Sequence, residues 1–271
     1  MADFAYRKKK AEIIMRKNGL IYVSAVSVAF LLRRFYSTAD SDALIWILAP
    51  AAWCVKILGG ISFEYVAQIG YVSDRYRFII AASCAGVRFL VLTFLMAVFS
   101  FTHRLATGRK KVLWLVFSMG FAYVTTVIVN EIRITAAIYI PLFLEDKGLM
   151  PKWLTSERLH TMIGTTVYFS VLFILYIITE KICTQMFGAA CGENEAKCKK
   201  KIAVPVFWYA AVVLVIPFLG RLYQQEWSGF LQYAALVTGV CVAVMAGFSA
   251  VSSIITSMKT KLIKIIRRVD A

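Results

Sequence analysis

Seven long apolar stretches, at about 19–32, 42–58, 84–103, 112–144, 160–179, 203–220 and 230–256, divide the chain, with only short charged or glycine-containing breaks between them. A helix needs about 20 apolar residues to cross the hydrocarbon of a bilayer, and backbone groups placed in lipid must bond within their own segment. The pattern predicts an all-α, polytopic transmembrane helical bundle of about seven or eight spans. With 60% hydrophobic and 17% charged residues among 271, the chain cannot dissolve as a globule.

One stretch is too long for a straight crossing. The run 112–144 has about 33 residues, which reach roughly 50 Å at 1.5 Å per residue against a core of roughly 30 Å. The polar residues Asn130 to Arg133 predict a break there, and Pro141 a bend beyond it.

Orientation follows from Lys and Arg in the short loops. Arg104, Arg109, Lys110 and Lys111 crowd one break without an acid, and Lys181, Lys197, Lys199, Lys200 and Lys201 follow 179. These breaks, and the tail with Lys259, Lys261, Lys264, Arg267 and Arg268, are expected in the cytoplasm. The breaks 61–83, 145–159 and 221–229 balance cations against acids and are expected outside. The N-terminus, with Arg7, Lys8, Lys9, Lys10, Arg16 and Lys17, also asks for the cytoplasm, which seven full crossings do not allow. Either 59–80 holds an eighth or re-entrant segment, or the first two segments do not cross as two full helices. Residues 1–32 resemble a signal peptide in charge and apolarity. No small-x-small cleavage site follows and Arg33-Arg34 comes next, so the segment is expected to be retained.

The net charge of +16 lies in membrane-flanking segments. No soluble domain offers a nucleic-acid groove, so anionic membrane lipid is the expected partner. The organisation is a basic N-terminus with a first span over 1–41, a membrane core over 42–182, a basic cytoplasmic loop over 183–202, and a C-terminal hairpin with a basic tail over 203–271.

Six cysteines divide by position. Cys54 and Cys241 lie inside apolar segments, where cysteine packs as a small hydrophobe. Cys183, Cys191 and Cys198 are assigned to the cytoplasmic loop, with spacings that match no zinc pattern and no histidine to join them. Cys84 differs, because it stands at an outward boundary where a helix is expected to begin. A helix N-terminus or a nearby cation lowers a thiol's pKa and makes it a nucleophile.

Two further polar groups share that side. Asn130 and Arg133, three apart on a helix, point to one face. Such an arginine commonly snorkels to headgroups, but its forked donors also hold carbonyls or developing negative charge. His160 opens the next run, and the other histidine, His103, falls at the cytoplasmic end, across roughly 30 Å of hydrocarbon. A thiol, an imidazole and a guanidinium at one rim are the parts of a cysteine acyl-transfer site. No nucleotide loop, haem ligand pair or zinc signature occurs, and no cofactor is expected.

At these residues the chain resembles the exosortase/archaeosortase family of membrane cysteine transpeptidases. Ser83-Cys84-Ala85-Gly86-Val87-Arg88-Phe89-Leu90 is similar to its nucleophile motif, Asn130 to Arg133 to its Asn-x-x-Arg, and His160 to Gly164 to its His followed by Gly four residues on. The wording is most similar to the small exosortase K branch. The resemblance covers about 42–182 and departs at Ala85, where Ser is usual. It implies a membrane-embedded cysteine protease or transpeptidase that cuts a C-terminal sorting signal of exported proteins: a short Pro-containing motif, a transmembrane helix and a basic tail. It further implies Cys84 as nucleophile, His160 as general base and acid, Arg133 holding substrate or oxyanion, Asn130 orienting Arg133 or the peptide, and a glycan or lipid acceptor. The site would face outward from a cytoplasmic membrane. Tyr65, Tyr71, Tyr76 and Phe78 in 61–83 would line the peptide entrance, although interfacial aromatics serve more commonly as membrane anchors. The competing reading is a non-enzymatic transporter subunit or assembly scaffold, in which the polar residues pair for packing.

Overall fold

The computed structural model describes residues 2–151, 153–187, 195–218 and 228–269. It is a membrane-type helical bundle of α1 (Ala2–Thr38), α2 (Ile45–Gly59), α3 (Val87–Phe101), α4 (Gly108–Asp146), α5 (Ser156–Phe187), α6 (Glu195–Ala210) and α7 (Ser228–Val269). Among the described residues five helical segments are long and apolar enough to cross a membrane, and two shorter apolar helices, Ile45–Gly59 and Ala203–Phe218, accompany them. Each apolar stretch of the sequence corresponds to one of these seven.

Cross-helix contacts fix the direction of each helix. Trp114 Nε1 of α4 donates to the Ala97 carbonyl of α3 at 3.2 Å, and Asn130 Nδ2 to that of Cys84 at 2.6 Å, so α3 and α4 run antiparallel. Phe89 stacks on Tyr168, Phe101 packs on Tyr176, and Arg104 pairs with Glu180, so α5 runs with α3. α2 breaks the alternation. Tyr123 donates to the Trp46 carbonyl at 2.8 Å and Tyr139 to the Gly59 carbonyl at 3.0 Å, which sets α2 alongside α4 in the same direction. α1 shares that heading: Lys111 Nζ reaches the Lys17 carbonyl, while Tyr36 packs on Trp46 further along.

The expected break at Asn130–Arg133 does not occur. α4 continues through it and through Pro141 for 39 residues, roughly 58 Å. The polar side chains leave the helix's own hydrogen bonds intact and bond to a neighbouring segment instead.

The break 61–83 is ordered as a small antiparallel sheet, an addition to the expected all-α fold. Its strands are β1 (Glu64–Val66), β2 (Gly70–Ser73) and β3 (Phe78–Ile80), in the order β1-β2-β3. Two residues ahead of α2 anchor it. Ser41 Oγ donates to the Ile69 carbonyl at 2.9 Å and accepts the Ala82 amide at 3.2 Å. Asp42 Oδ1 accepts from Tyr65 Oη at 2.6 Å and from the Gln68 amide at 2.7 Å, holding Gln68 at its unusual φ of 63°.

The main core gathers α1 to α4 under the sheet, with Leu44, Leu48, Val55, Ile61, Ile80, Leu90 and Ile134 buried. A second cluster joins α3 and α5 to α6 and α7 through Phe89, Phe101, Phe169, Leu172 and Tyr209. Cys183 is helical, in α5, and buried, rather than in the loop expected to begin there. Cys54 and Cys241 are partly buried. The side chains of Cys191 and Cys198, and the break 221–227, lie outside the described residues.

Candidate active site

Cys84 ends a short 3-10 turn, Ala82–Cys84, and precedes α3 rather than opening it. The separation comes from Gly86, at φ 70°, a left-handed conformation that a side chain rarely adopts. Space demands glycine there too. A Cβ on Gly86 would stand 3.1 Å from Thr126 Cγ2, 3.3 Å from Asn130 Cγ and 3.3 Å from Tyr168 Oη. Gly86 therefore lets the Cys84 loop settle onto α4 and α5 at once. Ala85 is 1% exposed, a position where a serine hydroxyl would need its own buried partner.

The Cys84 carbonyl is the hub. Asn130 Nδ2 donates to it at 2.6 Å and Arg133 at 3.3 Å through one terminal guanidinium nitrogen. Asn130 is held in turn by Tyr168 Oη, which donates to its Oδ1 at 2.9 Å. The Arg133 guanidinium lies over the Tyr168 ring, 5.5 Å from its centroid. That ring stacks on Phe89 at 4.8 Å and 17°.

Arg133 does not snorkel. It is 7% exposed, it forms no ion pair among the described residues, and its buried Nε has no acceptor. Hydrogen bonds to charged groups are stronger than neutral ones, and an unmet buried donor is costly. Glu131, also buried, points elsewhere and accepts from Thr135 Oγ1 at 3.2 Å.

His160 stands one turn before Gly164 on α5, half-buried and within the electrostatic field of Arg133. Gly164 faces the arginine: a Cβ there would lie at ordinary contact distance, 3.7 Å, from Arg133 Cδ. The Cys84 sulfur is turned to the Ile79 carbonyl oxygen at 3.9 Å rather than to the imidazole. Of the four residues singled out in the sequence, Cys84, Asn130 and Arg133 are joined by hydrogen bonds, and His160, near the start of α5, lies within the electrostatic reach of Arg133.

Sequence reasoning passed over Tyr168 and Ser41. Tyr168 continues the spacing His160, Gly164, Tyr168 along one helix face, a signal readable at i, i+4 and i+8. Ser41 carries no such signal, because it lies in a connection and acts through tertiary contacts.

His103 lies at the other end of α3, in the turn Thr102–Arg104. A cavity of about 460 Å³ opens there between Phe99, His103, Arg104, Tyr176, Phe207 and Trp208. Among the described residues no three His, Cys, Asp or Glu side chains gather to hold a metal ion. Comparisons with protein-family models, with curated proteins and with solved structures find no match for this chain.

Proposed function

We propose that the chain is a membrane-embedded cysteine acyl-transfer enzyme of the exosortase type, acting on exported proteins that end in a Pro-containing motif, an apolar helix and a basic tail. The observation that carries the reading is the grip on Cys84: its carbonyl is held by Asn130 and Arg133, and His160 lies within the electrostatic reach of the same guanidinium. A buried arginine that holds the cysteine's own carbonyl and keeps a spare Nε–H supports a role in binding a substrate oxygen.

In the proposed reaction the thiol turns from Ile79 and His160 takes its proton. The sulfur attacks the scissile carbonyl carbon, forming the S–C bond while the carbonyl oxygen takes up the electron pair and meets Arg133 Nε–H. Collapse breaks the C–N bond, and His160 returns its proton to the leaving amine. An amine or hydroxyl of a glycan or lipid acceptor then attacks the thioester, and its proton passes through His160 to the departing sulfur. Water in place of that acceptor makes the enzyme a protease.

The helix directions support a sidedness for this site. α6 runs against α5, with Ala203 near Tyr176 and Tyr209 on Phe169, and α7 returns, with Phe230 on Phe218 and Phe248 on Phe173. With α1 and α2 sharing one heading and α3 to α7 alternating, the chain makes six crossings, and α2, roughly 22 Å long, is not a return span. Both basic termini and the basic breaks after 103 and 179 then face the cytoplasm, and Cys84 faces outward. This satisfies the positive-inside rule throughout.

The test is client processing in cells carrying Cys84→Ala, Arg133→Lys or His160→Ala enzyme. Cys84→Ala abolishes cleavage, and His160→Ala slows it by about 100-fold or more. Arg133→Lys keeps the charge, loses the fork and slows cleavage by about 100-fold. Unchanged processing with Cys84→Ala overturns the reading and favours a packing scaffold.

A further inference from the structure

We infer that the free edge of β3 receives the client as an added, extended strand, a reading that rests on Cys84 being the nucleophile. β3 is an outer strand, so β2 takes one of its edges and the other carries unpaired backbone groups. In an antiparallel ladder the N–H and C=O of one residue face the same edge, and successive residues alternate. Ile79 sits opposite Val72 of β2 yet directs its carbonyl at the Cys84 sulfur, 3.9 Å away. Its amide therefore faces that free edge as well, while Phe78 and Ile80 turn theirs toward β2.

The sulfur thus stands beside the first acceptor that an incoming strand would use. A thiol donates to Ile79, whereas a thiolate cannot, so ionisation of Cys84 releases that carbonyl for a peptide N–H. A strand seated there runs its backbone past the sulfur of the residue whose carbonyl Arg133 holds at 3.3 Å. Recognition through backbone groups selects an extended peptide over a helix, whose amides are already bonded. It also imposes a period of two: alternate client amides face β3, and a proline is tolerated only at the positions between them.

The experiment uses the full chain in detergent micelles and reads the rate of adduct formation on Cys84 by mass spectrometry. The probes are acetyl-tetraalanyl chloromethyl ketone, two versions of it N-methylated at adjacent alanines, and iodoacetamide. Sulfur displaces chloride from the peptidyl reagent and iodide from iodoacetamide, and the small reagent measures thiol reactivity without strand pairing. One N-methyl peptide reacts about five- to tenfold more slowly than the parent, as expected for one lost hydrogen bond, and its neighbour reacts at the parent rate. Ile79→Pro slows the parent peptide to a similar degree and leaves iodoacetamide unaffected. Equal rates for the two N-methyl peptides on the wild-type chain, slowed or not, overturn the strand pairing alone. A thiol inert to both iodoacetamide and the parent peptide overturns the nucleophile reading and this inference with it.

Discussion

Tyr168 holds Asn130 in register, donating its hydroxyl to Oδ1 at 2.9 Å so that the amide nitrogen is left to grip the Cys84 carbonyl. Tyr168→Phe keeps the stack on Phe89 and removes only this hydroxyl. Loss of one such bond costs about 1 kcal/mol, so the client processing proposed above falls about fivefold while thermal stability in detergent changes little. Asn130→Ala strands the tyrosine hydroxyl, leaves the Cys84 carbonyl to Arg133 alone, and lowers the proposed processing and stability together.

Gly86 and Gly60 separate strain from crowding. Both have left-handed backbones, at φ 70° and 67°, but a Cβ on Gly60 meets nothing within 4 Å. Gly60→Ala therefore costs only the backbone penalty of about 1–2 kcal/mol and keeps activity. Gly86→Ala adds contacts with Asn130 and Tyr168, and client cleavage is lost beyond what the drop in melting temperature explains.

Gly164 tolerates a methyl group but nothing larger. Its Cβ would stand at ordinary contact distance, 3.7 Å, from Arg133 Cδ. Gly164→Ala retains activity within about twofold, in keeping with the small effects of substitutions that break no named interaction. Gly164→Leu pushes the arginine off the Cys84 carbonyl and abolishes processing, as a cleavage time course would record.

The Arg104–Glu180 ion pair, at 2.7 Å, fastens α5 to the far end of α3. Glu180→Gln leaves the guanidinium with a neutral acceptor and costs about 2 kcal/mol, in the range for hydrogen bonds to charged groups. The measurement is the unfolding midpoint in detergent. Cys84 alkylation is unchanged, because the two sites lie at opposite ends of α3.

The sheet anchor sets a pH window. The hydrogen bond from Tyr65, and then that from the Gln68 amide, holds the Asp42 carboxyl below its usual range; the same contact pushes the Tyr65 phenol up to about 12. A lowered carboxyl stabilises above its unfolded pKa of about 4 and is lost as pH falls through the folded value. A raised phenol stabilises below its unfolded pKa of about 10 and is lost as pH rises toward 12. Protease cleavage within 61–80 is therefore slowest between about pH 4 and 10 and accelerates on both sides. Asp42→Asn weakens the acid limb of that profile.

Much of the helical plan is legible because lipid imposes length and apolarity on each span, and the seven stretches match seven helices. The direction of α2 is not legible. Its apolar composition suits a return span, and only Tyr123 and Tyr139, far away in sequence, fix its heading. The continuity of α4 was obscured for a related reason: Asn130 and Arg133 resemble a breaker in isolation, and their polarity is spent on Cys84. In the site, residues with unusual chemistry for a membrane were visible at once. Tyr168 and Ile79 were not, since one passes for an interfacial aromatic and the other contributes a backbone carbonyl that no side-chain pattern encodes.

The shared heading of α2 and α4 reaches beyond the site. In the six-crossing arrangement proposed above, the chain would insert as three successive hairpins, with no odd helix left waiting for a partner. On that proposal, reporters fused to its two ends would answer from one compartment.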